Sequence, residues 1–393
     1  MAKQARIGGI DFLRGVVLIA IMIDHVPGNP LERLTPRNFA FSDSAEAFVF
    51  LSGMSVGLVY YRKALASGLL AVTRSCLARA GRIYGFHVAL TVAAVAIFGL
   101  VYWLSGLDAL IEAHGRTVVF HQPLQGALGV ALLSHQLGYF NILPLYVVLM
   151  MLSPLILAMA RINQALALSA AAGAYLAVRL LDFHMPNWPE PGGWFFNPFA
   201  WQLIFTLGVV AAIRWRDEPL RGSPAMRATC LALAVAGAIV VTDGFGASPG
   251  LHDVVFAWLD VGKQNLGAAR LVNFFALAYL VATSPFLTRL ARTPIGEELQ
   301  RIGRHSLEVF ALGSLLCALG QACFAALGGI MPDHVAQYVE LGYILACICG
   351  LFALARYLEC RTLRLGDGPG AFAAGGVDAR RFFGRSLQSA SAR

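Results

Sequence analysis

The chain has 393 residues, of which 58% are hydrophobic and 13% charged, and its mean hydropathy is +0.67. A soluble domain is nearer half apolar and a quarter charged, so this chain cannot cover its surface with polar groups and needs lipid as its solvent. The net charge of +8 is spread through the segments between apolar runs, with no basic domain and no nucleic-acid-binding motif; that excludes a nucleic-acid binder and assigns the charge to membrane topology.

Ten apolar runs of spanning length follow in chain order, at 10–27, 44–61, 84–104, 141–160, 164–181, 199–213, 228–243, 271–288, 305–327 and 338–358. A spanning helix takes about 20 residues, so ten spans with short loops use most of the chain. The predicted fold is all-α: a polytopic bundle of about ten transmembrane helices in one membrane domain over 1–360, then a flexible cytoplasmic C-terminal tail over 361–393, rich in Gly, Ala, Ser and Arg. The sixth and seventh runs are the short ones. Two further stretches, near 121–134 and 251–266, are amphipathic and contain His or charge, which suits interfacial or re-entrant pieces. At the N-terminus, Asp11 and Arg14 interrupt the apolar region and no small-residue cleavage site follows, so no cleaved leader is expected. Seven cysteines without a CxxC pair read as small apolar filler, with neither a disulfide framework nor a metal site expected.

Basic residues orient the bundle. With the N-terminus inside, 23 of the 30 Lys and Arg fall on the cytoplasmic side. Arg33, Arg37, Arg116, Arg179, Lys263 and Arg270 fall outside, and Arg14 lies within the first run. The split predicts both termini in the cytoplasm, because cytoplasmic loops concentrate Lys and Arg. An odd number of spans would break it. The outer segments instead carry Pro, Trp, His and acids, as in 183–198 and at His114, His121 and His135. Such loops suit a polar ligand outside the membrane, although aromatic residues also gather at interfaces as anchoring belts.

The first run carries the most chemistry, with Asp11, Arg14, Asp24 and His25 among apolar residues. Ionisable groups in a membrane are costly and face the bundle interior. Arg14 and His25 are eleven residues apart, close to three helical turns, so they share a face and lie roughly 16 Å apart along the axis. Asp11 is one turn from Arg14 and can pair with it. Asp43 and Glu46 fall at the outer end of the second run, where they can cap the helix and favour its dipole. Asp24, His25, Asp43 and Glu46 thus meet at the outer ends of two consecutive helices. A His beside carboxylates is the arrangement of a general base with an orienting acid; an end-cap is the structural alternative.

The stretch DFLRG…DHVPGN…TPRNFAFSDSAEAFVFLSGMSVGLVY, with RIYGFH (82–87), ILPLY (142–146), NPFAWQLIFTLG (197–208) and GRHSLEVFALG (303–313), resembles the OpgC family of membrane proteins over nearly the whole chain. The resemblance implies a succinyltransferase that decorates osmoregulated periplasmic glucans. More remotely the layout is similar to the wider transmembrane acyltransferase superfamily. That likeness implies a cytosolic acyl-CoA donor and an essential His on the first helix, here His25. Under this expectation Arg14, Arg74, Arg79, Arg82, Tyr84, His87 and Arg304 serve the donor. Guanidinium groups bind phosphates bidentately, and Arg79 and Arg82 share a helix face. Asn38, Asn141, Tyr146, Asn197, Trp201 and Gln202 at outer helix ends are candidates for the acceptor sugar. The expected partners are acyl-CoA (succinyl-CoA) as co-substrate, a periplasmic glucan and the bilayer, with no permanently bound cofactor and no metal. A covalent acyl-His intermediate stays open, as do an acetyltransferase of the same layout, a transporter of donor or glycan without chemistry, and the oligomeric state.

Overall fold

The apolar runs fold as helices. In a computed structural model, which describes residues 8–217, 220, 222–328 and 331–364, no strand occurs among the described residues beyond an isolated bridge between Pro186 and Gly193. In chain order the helices are α1 (Gly8–Asp24), α2 (Ser44–Ser105), α3 (Ala109–Glu112), α4 (Arg116–His121), α5 (Pro123–Ala131), α6 (Ile142–Ile162), α7 (Gln164–Leu181), α8 (Pro198–Asp217), α9 (Pro224–Val241), α10 (Leu251–Trp258), α11 (Ala268–Ala282), α12 (Pro285–Leu290), α13 (Pro294–Arg304), α14 (Ser306–Leu327) and α15 (Asp333–Arg364). Seven of them, α2, α6, α7, α8, α9, α14 and α15, are long and apolar enough to cross a bilayer. The chain is an all-α polytopic membrane protein.

α2 holds two of the expected runs. Its 62 residues are interrupted at Gly68, whose φ of 79° and ψ of 168° leave the helical region. Only glycine adopts such a conformation without a steric cost at Cβ. The Lys63 ammonium donates to Ser75 at 2.5 Å, yet twelve residues of straight helix would put them about 18 Å apart. The arms 44–67 and 69–105 therefore fold back on each other as a hairpin.

The short helices are not the expected ones. α8 and α9 have 20 and 18 residues, whereas α1 has 17 and α11 has 15. Each of these two stops ahead of a proline, which disfavours helix in the residue before it. Pro27 follows α1. Pro285 opens α12 instead, capped by the Ser284 hydroxyl on Leu287 N–H.

Glycine brings the helices that carry the site into backbone contact. Gly53 and Gly57 on α2 are four residues apart, and a Cβ on them would lie 2.0 and 2.5 Å from the carbonyl oxygens of Phe205 and Val209 on α8. Gly208 on α8 answers, with its Cβ position 2.2 Å from Phe50 O. This is the small-xxx-small packing of membrane helices. α1 meets α13 in the same way: Cβ atoms on Gly15 and Gly303 would lie 2.1 and 1.9 Å from Leu299 O and Asp11 O. Trp201, Phe205, Leu145 and Leu149 are fully buried in the core.

The stretch 121–134 lies in α4 and α5, which pack against the second arm of α2. Tyr84 donates to Ala131 O at 2.9 Å, and the Arg116 guanidinium stands 4.0 Å over the Phe98 ring. The stretch 251–266 begins as α10, where Trp258 is 86% exposed. Of the segment 361–393, residues to Arg364 complete α15. Residues 365–393 lie outside the described residues, as do Lys3, Arg6 and Arg221 of the topology count.

Candidate functional site

α1 brings Asp24 and His25 to the end of the bundle where α2 begins. His25 Nδ1 lies 2.5 Å from the carbonyl oxygen of Ile21, one turn back. A carbonyl only accepts, so Nδ1 carries the hydrogen, and the neutral ring keeps its lone pair on Nε2. The ring is packed edge-on by Tyr139, centroid to centroid 4.9 Å. The backbone carbonyl of His25 accepts from Gln321 of α14 at 2.5 Å. Tyr139 holds φ at 70°, the left-handed region that bulky residues rarely enter, and its other side packs against His114 at 5.3 Å.

None of the three expected carboxylates hydrogen-bonds this imidazole. Asp24 accepts from the Thr35 hydroxyl at 2.5 Å. Asp43 caps α2 through Ala45 N–H at 2.8 Å, and Glu46 accepts from Asp43 N–H at 2.9 Å. This is a full capping box. The same two acids hold two cations. Asp43 Oδ2 lies 2.5 Å from Lys263 Nζ and 3.1 Å from Arg270 Nη2, and Glu46 Oε1 accepts from Arg270 Nε at 2.6 Å. Glu46 is 0% exposed, and a charge buried that deeply needs such a partner. Burial alone would raise the Asp43 carboxyl, but Lys263 and Arg270 beside it hold it well below the usual carboxylate range. The expectation of an orienting acid is thus corrected: a backbone carbonyl orients His25, and the acids organise cations. Arg37 Nη1 donates to the backbone carbonyl of Asp24, the residue before His25, at 3.4 Å.

The candidate donor residues separate into groups. Arg14 sits where α1, α2 and α13 meet, donating to Ser55 Oγ, to Leu51 O and Gly303 O at 3.4 Å, and to Asp11 at 3.5 Å. Arg82 is paired with Glu308 of α14. Arg304 grips Glu359 with two nitrogens at 3.1 and 3.2 Å, which engages it as a strut rather than a phosphate ligand. Tyr84 is likewise spent on Ala131 O. Arg74 is exposed, and His87 is buried on the second arm of α2. Arg79, one turn before Arg82, has no carboxylate within ion-pairing distance among the described residues.

The acceptor set is largely corrected. Asn197, 0% exposed, donates to Phe183 O and Asn265 Oδ1 at 2.9 and 3.0 Å. The buried Gln202 donates to Ala171 O at 2.7 Å. Trp201 donates to Lys263 O and Gln264 O at 3.1 and 3.2 Å. These three are interior struts with no surface for a sugar, and Trp201 fixes the loop that carries Lys263. Tyr146 is buried edge-on to Phe48 at 5.3 Å. Asn38 donates to Glu32 O at 2.5 Å within its own loop. Asn141 stands half-buried at the start of α6.

Reading the sequence missed Arg37, Tyr139, Lys263, Arg270 and Gln321. A signal for three of them was present: Arg37, Lys263 and Arg270 are half of the six cations on the side that topology leaves poor in charge. Arg33 is exposed, Arg179 pairs with Asp260 at 2.7 Å and Arg116 stacks on Phe98.

Fold and site together define a polytopic helical membrane protein with a histidine-centred polar site at one end of its first two helices. The chain belongs to the OpgC protein family, whose model matches residues 6–362, as the motifs of the first two helices predicted. Membership supports a glucan-modifying, acyltransferase-type role. Searches of curated proteins and of solved structures find no match.

Proposed function

We propose that the protein is a membrane-embedded O-acyltransferase that moves an acyl group, succinyl by the family resemblance, from cytosolic acyl-CoA to hydroxyls of a periplasmic glucan, with His25 as general base. The observation that carries this reading is the Ile21 carbonyl on His25 Nδ1, which leaves the Nε2 lone pair to accept a proton. Nε2 takes the proton of a glucan hydroxyl as its oxygen adds to the thioester carbonyl. The carbon–sulfur bond then breaks, and the leaving thiolate recovers the proton from Nε2. The Ile21 carbonyl stays bonded to Nδ1–H throughout and stabilises the transient imidazolium. The donor enters at the level of Arg14 and Arg79, and its pantetheine arm covers the roughly 16 Å from Arg14 to His25 along α1. Both termini lie in the cytoplasm of the inner membrane on this reading, in line with the charge split.

Turnover tests it. Purified protein given succinyl-CoA and glucose oligosaccharides should release free CoA in step with a new ester on the sugar, seen by mass spectrometry. CoA release without sugar ester, or neither, would overturn acyl transfer in favour of hydrolysis or transport.

A further inference from the structure

The loop that joins α1 to α2 is held far more firmly than a connector needs. Asn29, 1% exposed, donates to Ile23 O and Val26 O at 2.9 and 2.6 Å and accepts from Leu31 N–H at 3.0 Å. Thr35, 3% exposed, sets its hydroxyl 2.5 Å from the Asp24 carboxylate and 2.7 Å from Glu32 O. Pro30 and Pro36 open its two 3-10 turns and pre-set φ there. Together these tie residues 29–38 to the end of α1.

What this anchoring delivers is Arg37. Its Nη1 donates to the Asp24 carbonyl at 3.4 Å, one residue from His25, and the rest of the side chain is exposed on the outer rim. The other cations of the cluster are already matched: Lys263 by Asp43, and Arg270 by Asp43 and Glu46. Arg37 has no carboxylate within ion-pairing distance among the described residues. One long bond to a carbonyl uses one of its five donors. A guanidinium with free donors fits a carboxylate in a bidentate grip.

We propose that Arg37 is the specificity-determining residue that receives the free terminal carboxylate of a dicarboxylic acyl group while the thioester carbonyl of that group lies at His25. The assignment rests on the transfer reading above. In a four-carbon diacid the two carboxyl carbons are three bonds, roughly 4 Å, apart, so a group that reaches the base from the inner side extends its far end past His25 to the outer rim. A neutral acyl group would leave Arg37 nothing to grip.

The test is donor selectivity. Transfer to glucose oligosaccharides is measured with succinyl-CoA and with butyryl-CoA, which has a methyl group where succinyl has its carboxylate. Wild type should favour succinyl. Arg37→Gln should cut the succinyl-over-butyryl ratio of kcat/KM by about 10–100-fold, the size of a lost charge-assisted hydrogen bond, and Arg37→Lys should recover part of it. Equal loss with both donors would overturn the assignment alone, because Arg37 would then act on the reacting carbonyl or on the fold. A wild type that transfers neither acyl group would overturn the transfer reading and this assignment with it.

Discussion

Replacing Arg270 by Gln removes the cation that holds two buried carboxylates at the start of α2. Glu46 is 0% exposed and Arg270 8%. Their contact is 2.6 Å, and a second one runs to Asp43 at 3.1 Å. Without Arg270, Glu46 keeps only the Asp43 N–H at 2.9 Å, while Asp43 still has Lys263. Breaking a buried pair by removing one partner costs about 3–5 kcal/mol. At about 2 °C per kcal/mol for a large domain, melting in detergent should fall by roughly 6–10 °C. Glu46→Leu with Arg270→Leu removes both charges at once and should lose much less than the two single changes summed, because a buried pair replaced by apolar groups is often neutral. The coupling should exceed about 2 kcal/mol in the double-mutant cycle. Thermal unfolding followed by tryptophan fluorescence reads wild type, Arg270→Gln, the two single leucine variants and the double variant. An Arg270→Gln variant that melts within about 2 °C of wild type, or a double variant whose loss equals the sum of the singles, would refute the reasoning.

The α2–α8 contact and the donor entrance give further expectations. Gly53→Val puts a side chain into the Phe205 carbonyl, where even a Cβ would sit at 2.0 Å. It should cost about 1–3 kcal/mol or more by overpacking, whereas Gly173→Ala on α7, with nothing within 4 Å, should be neutral or slightly stabilising. Expression level and melting temperature check the pair. Arg79→Ala should raise the KM for acyl-CoA more than the KM for the sugar; an unchanged acyl-CoA KM at normal expression would reduce Arg79 to a topological charge.

Most of the helices were legible because lipid imposes a long apolar stretch on each span, and such stretches are visible one at a time. The α2 hairpin was not, since 62–83 reads as a basic inner loop while its Ala and Leu continue the helix on both sides of Gly68. In the site, Asp24, His25, Asp43 and Glu46 stood out as ionisable groups in apolar surroundings. Their true partners did not. Lys263 and Arg270 lie more than 200 residues along the chain from Asp43 and Glu46. The group that orients His25 is a backbone carbonyl, which has no side-chain signature. Asn197, Trp201 and Gln202 were misjudged for a related reason: polar residues at helix ends look alike whether they face water or bind interior carbonyls.

His25→Gln tests the general-base role of His25 most directly. Glutamine keeps the polarity and approximate size of the side chain but has no group that takes up a proton near neutral pH. Turnover of succinyl-CoA with glucose oligosaccharides, measured beside CoA binding and melting temperature, should fall by about 10²–10⁴ while binding and stability hold. A His25→Gln protein that folds, binds CoA and transfers acyl groups at a near-normal rate would contradict it.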